Sequence, residues 1–76
     1  MGTPEWKSFT VTNARTGTGR RIAIKTGVAE VGGEEHFAVA IDDAPPVLVD
    51  LEDGKRLAAN IYVGLAEKDK RDRGQQ

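Results

Sequence analysis

The chain has no cysteine, one histidine, one tryptophan, one tyrosine, two phenylalanines and three prolines among its 76 residues. Without thiols it can form no disulfide, thiolate nucleophile or thiolate metal site, so its fold must rest on packing in either redox compartment. A single histidine, His36, rules out the histidine pair that a thiol-free zinc site would draw on. Ser8, His36 and Asp42 supply one of each triad residue type, but no glycine elbow surrounds Ser8 and nothing brings the three together. Asp42, Asp43, Asp50 and Asp53 lack calcium-loop spacing, because two prolines and a strand interrupt them. No catalytic residue, metal or cofactor is therefore expected. No apolar run approaches membrane length, and Met1 to Lys7 has no basic segment followed by an apolar core, which predicts a soluble, cytoplasmic protein. A formal charge of -1 argues against a surface that is a nucleic-acid footprint throughout.

What is present centres on Arg21 to Ile41, two hydrophobic runs separated by Gly32-Gly33. A two-residue primed turn needs positive φ, which glycine adopts without penalty. Counting outward from that turn pairs Val28 with Phe37, Thr26 with Val39 and Ile24 with Ile41. All the large apolar residues of both runs then share one face, and a slip of one residue would destroy the match. The other face carries Ala23, Lys25, Gly27, Ala29 and Val31 against Asp42, Ala40, Ala38, His36 and Glu34. Alanine and glycine are poor strand formers, so this shelf of small side chains calls for a bulky cover. His36, on that outer face, reads as a surface residue rather than a base.

Trp6 to Asn13 reads as a strand that precedes the hairpin. A two-residue turn at Thr16-Gly17 sets Val11 opposite Ile22, Phe9 opposite Ile24 and Trp6 opposite Gly27, and moving it to Gly17-Thr18 keeps the same faces. Trp6 over Gly27 would be an aromatic covering a strand glycine. Pro45-Pro46 breaks the ladder, and Val47, Val49 and Leu51 then alternate as a short edge strand. Beyond it the apolar period lengthens to three and four. Leu57, Ala58, Ile61 and Leu65 form a helical stripe with Tyr62 beside it, and Asp50, Glu52 and Asp53 suit the positive end of the helix dipole. Gly54 and Gly64 each cost about 1 kcal/mol relative to alanine, so the helix depends on tertiary contact. The expected fold is α+β: an antiparallel meander of about four strands with one C-terminal helix packed on one face, ββββα. Its core would be built from Phe9, Val11, Ile22, Ile24, Val28, Phe37, Val39, Ile41, Val47 and Val49. Residues 1–68 form the single domain, and 69–76 a charged tail that frays, with Glu67–Arg71 and Asp69–Arg73 spaced as helical ion pairs.

Charge is segregated along the chain. Lys7, Arg15, Arg20, Arg21 and Lys25 precede Ala29, whereas Glu30, Glu34, Glu35, Asp42, Asp43, Asp50, Glu52 and Asp53 follow it, a pattern that pairing of strands within one fold accounts for. Glu30 opposes Glu35 and must be well solvated or meet a cation. Gly17-Thr18-Gly19-Arg20-Arg21 lacks the spacing of a Walker loop and is followed by a strand, so it reads as a hairpin turn with basic flanks. In element order, and in composition from Val47 to Lys68, the chain resembles small orphan proteins of high-GC bacteria and their phages. That resemblance contains no diagnostic motif and assigns no functional residue. The absence of an assembled chemical site points instead to a non-enzymatic accessory factor, of a phage or mobile element, that docks on another protein or on its own copy as a homodimer. The expected docking surface is the small-residue face: Trp6, Ala23, Gly27, Ala29, Ala38 and Ala40. The alternative is weak nucleic-acid binding through Arg15, Arg20, Arg21 and Lys25.

Overall fold

A computed structural model describes residues 3–74; Met1, Gly2 and the last two residues of the expected tail, Gln75 and Gln76, lie outside the described residues. Four antiparallel strands, β1 (Glu5–Arg15), β2 (Arg21–Val31), β3 (Glu34–Ile41) and β4 (Val47–Val49), form one open sheet in chain order. A single helix, α1 (Leu51–Gly74), follows. Among the described residues no helix is long and apolar enough to cross a membrane.

The β2–β3 hairpin follows the sequence. Gly32 and Gly33 have φ of 59° and 84°, and the ladder pairs Val28 with Phe37, Thr26 with Val39 and Ile24 with Ile41. Glu30 does lie opposite Glu35, and the Lys7 ammonium answers Glu30 at 3.8 Å and Glu5 at 3.6 Å. At the other end Asp42 adopts φ 52°, donates its N–H to the Ala23 carbonyl at 2.8 Å and accepts the Ala23 N–H on Oδ1 at 2.9 Å. A short polar side chain that bonds locally is one of the few that tolerates this left-handed conformation.

The first hairpin departs from expectation. Its turn spans three residues, Gly17, Thr18 and Gly19. The Thr16 carbonyl accepts from Gly19 N–H at 2.9 Å, Thr16 N–H donates to the Arg20 carbonyl at 2.8 Å, and Gly19 takes φ 89°. This is a type of hairpin loop in which a left-handed glycine forms a bulge. The Thr16 hydroxyl reinforces it by accepting the Arg20 N–H at 3.1 Å. An odd loop length shifts the pairing by an odd number of residues and turns β1 over. Phe9 therefore faces Gly27 rather than Ile24, Val11 faces Lys25 rather than Ile22, and Trp6 faces Ala29 rather than Gly27. Phe9 and Val11 consequently leave the expected core and join the small-residue face. An irregularity at Lys7, between Trp6 and Ser8, resets the register near the strand start.

The second departure concerns α1. Asp50 caps it, its carbonyl accepting the Gly54 N–H at 2.8 Å, and Glu52 and Asp53 occupy the first turn. Gly54 is the one buried residue of the helix, and it sits where a Cβ would come within 2.5 Å of Phe37 Cβ. The helix thus meets the expected sheet face, that of Phe37, but docks by its first turn on β3. The stripe expected to seal the core stays open: Leu57 is 45% exposed, Ile61 56% and Leu65 62%. Leu51 starts the helix instead of ending β4. Its charged end is helical through Gly74, with Lys68 and Asp72 forming the ion pair there.

Candidate interaction surface

The two sheet faces have different chemistry. One, under the first turn of α1, carries Ile22, Ile24, Val28, Phe37, Val39, Ile41, Val47 and Val49, with Thr10 and Thr12 contributed by β1. The other carries Trp6, Phe9 and Val11 of β1 against Ala23, Lys25, Gly27 and Ala29 of β2, with His36, Ala38 and Ala40 of β3 and Leu48 of β4 beyond.

This second face holds all three expected docking alanines that are buried. Ala29 and Ala38 have no exposed surface and Ala40 is 7% exposed, so none of them presents area to a partner. β1 comes down close on this side: a Cβ on Gly27 would stand 2.0 Å from the Ser8 carbonyl oxygen and 2.6 Å from Phe9 Cα. Trp6, Ala23 and Gly27 remain partly accessible. The most exposed apolar residues of the face are two that the sequence pattern assigned to the core, Phe9 at 54% exposure and Val11 at 49%. The signal for them was the Thr-Gly-Thr-Gly run, which permits the three-residue loop as readily as a two-residue one.

Trp6 and Phe9 meet edge to face, ring centroids 5.9 Å apart and planes at 75°. The Lys25 ammonium lies over both rings, 4.0 Å from the Phe9 centroid and 4.4 Å from that of Trp6. Both rings present negative π density to the cation, an attraction of about 0.5–1 kcal/mol at exposed sites. His36, on the far side of Ala29 from Trp6, has its Nδ1 buried without a hydrogen-bond partner among the described residues.

At the turn end of the same face Arg15 stands directly opposite Arg21. Like charges so placed destabilise a strand pair by a fraction of a kcal/mol, roughly 0.2–1. Among the described residues neither forms an ion pair, whereas Arg20 is held by Asp42 Oδ2 at 3.4 Å. The four basic residues expected to contact nucleic acid are thereby separated in role: Arg20 belongs to the fold's own electrostatics, Lys25 to the aromatic pair, and Arg15 and Arg21 face solvent. With Asn13, Ala14, Ile22, Ala23 and Asp42 these two arginines line an open depression of about 580 Å³.

No protein-family model matches the chain, and neither curated proteins nor solved structures match it.

Proposed function

We propose that the chain is a non-enzymatic binding module, an accessory factor that works by docking its sheet on another protein or on its own copy. The observation that carries this reading is the exposure of Phe9 and Val11 beside the half-buried indole of Trp6 on one sheet face. Aromatic side chains on a scaffold of β-structure bring large contact area at small conformational cost, and they are frequent hot spots. Trp6→Ala and Phe9→Ala are expected to keep the circular dichroism of the folded protein. Each should weaken retention of a partner by the immobilised protein about tenfold or more, since hot-spot truncations cost about 2 kcal/mol and upward. Unfolding of Trp6→Ala together with unchanged binding by Phe9→Ala would make Trp6 a core residue and remove the site.

One observation favours a second reading, the binding of single-stranded nucleic acid. The corrected register puts Arg15, Arg21 and Lys25 on the same face as Phe9 and Trp6, joining phosphate-binding cations to aromatic platforms. Binding would be weak and salt-dependent, with log K falling against log salt with a slope of about -2 if three phosphates are neutralised. It should vanish in the Arg15→Ala/Arg21→Ala/Lys25→Ala variant, measured by fluorescence anisotropy of a labelled oligonucleotide. No anisotropy change at low salt would eliminate this reading.

A further inference from the structure

We infer that the face opposite Trp6 is the site of a second copy of this chain, and that each copy lays the exposed stripe of its helix across the bare aliphatic sheet face of the other. This names a partner for the binding module proposed above and rests on that general reading, but it uses the other side of the sheet. The starting point is a missing core. Among the described residues only Ala29, Ala38, Ala40 and Gly54 are buried, and no large side chain is. The radius of gyration is 15.3 Å, whereas a compact domain of this length has one of about 11 Å. The accessible surface is 6245 Å², against about 4,500 Å² for a folded monomer of this mass, an excess of about 1,700 Å² per chain.

The location of that excess identifies the occupant. Ile61 and Leu65 lie on α1 beyond the Gly54 contact, and both are more than half exposed. The sheet face that they would cover, around Ile24, Val28 and Val39, contains no buried residue. One chain thus has an uncovered stripe and an uncovered face, each of the kind the other lacks. A two-fold axis satisfies both at once, because such an interface is self-complementary and closed. Part of that excess is the charged end of α1, Glu67 to Arg73, which has no apolar residue; what two copies would bury is the apolar remainder, the stripe and the sheet face. A formal charge of -1 per chain presents little long-range repulsion between copies.

The absence of cysteine makes the test clean. Sedimentation equilibrium on the wild-type chain across the micromolar range should give twice the chain mass of 8.2 kDa. A mixture of Thr26→Cys and Ile61→Cys chains should form an intermolecular disulfide far faster than either alone, because Thr26 lies on the sheet face beside Val39 and Ile61 lies on the stripe. Ile61→Asp/Leu65→Asp should abolish the dimer, whether as folded monomer or as unfolded chain, and the cross-link is measured on chains that keep both residues. A wild type that sediments as a monomer overturns the inference, as does a dimer that survives the double aspartate or cross-links only between β1 edges. A monomer whose partner binding still depends on Phe9 would sink this inference and leave the binding-module reading standing. A stripe protected by a different protein, with the chain alone monomeric, also counts against it.

Discussion

Gly27→Ala is expected to unfold the domain or come close to it. The added methyl would lie 2.0 Å from the Ser8 carbonyl oxygen, 2.6 Å from Phe9 Cα and 2.9 Å from the Ser8 carbonyl carbon. All three are backbone atoms of the neighbouring strand, so no side-chain rotation relieves the clash. Relief requires β1 to lift away near its irregularity, which would also separate Trp6 and Phe9 from Lys25. Overpacking of this severity costs about 3 kcal/mol or more. A chain of this length has about 4–11 kcal/mol of stability in all. At roughly 4–8 °C per kcal/mol for a domain this small, thermal denaturation followed by circular dichroism should drop by more than about 12 °C. Gly17→Ala is the control, since that position has open space around it and no left-handed φ. A Gly27→Ala protein that melts with wild type would mean that β1 does not approach β2 in this register.

Gly54→Ala sets two effects of opposite sign against each other. Alanine favours the helix by about 1 kcal/mol over glycine in a helix interior. At this position, however, the methyl would stand 2.5 Å from Phe37 Cβ and 2.6 Å from its Cγ, and Phe37 is anchored in β3. Packing decides the sign, because Gly54 is where α1 docks on the sheet and overpacking costs about 1–3 kcal/mol. The net cost of up to about 2 kcal/mol corresponds to a loss of up to about 15 °C in Tm at the sensitivity of a small domain. Gly64→Ala, with nothing within 4 Å, should instead raise stability by about 1 kcal/mol. In Phe37→Ala, itself destabilised, Gly54→Ala should become neutral or stabilising, because contacting residues do not add independently. Stabilisation by Gly54→Ala in the wild-type background would show that α1 does not rest on Phe37.

These two glycines show where local pattern ends. Gly54 and Gly64 are indistinguishable by propensity, and only the approach of β3 makes one obligatory and the other dispensable. The acid pair Glu30 and Glu35 implies a cation nearby, but its identity as Lys7 required the strand irregularity that brings Lys7 within reach. Exposed ion pairs such as this contribute about 0–1 kcal/mol, so they follow the strand pairing rather than direct it.

By itself the sequence determined the β2–β3 hairpin, the order of elements and, to within a residue, the start of the helix. Each of these depends on short-range rules: two adjacent glycines at positive φ, alternation that admits one register, and a change of period after the acidic cap. Tertiary structure decided which face β1 shows and how much of the helix is covered. In the first hairpin, Thr16 to Arg20 can close by a two-residue or a three-residue loop, and β1 mixes Phe9 and Val11 with threonines that suit either side. A single residue of loop length then turns the strand over, and it moves both apolar side chains from the expected core to the surface beside Trp6. The helical stripe of Leu57, Ile61 and Leu65 was legible because periodicity records that a face must be buried. What that face is buried against is a matter of reach and direction in space, and among the described residues of the helix only Gly54, in the first turn, is buried against the sheet.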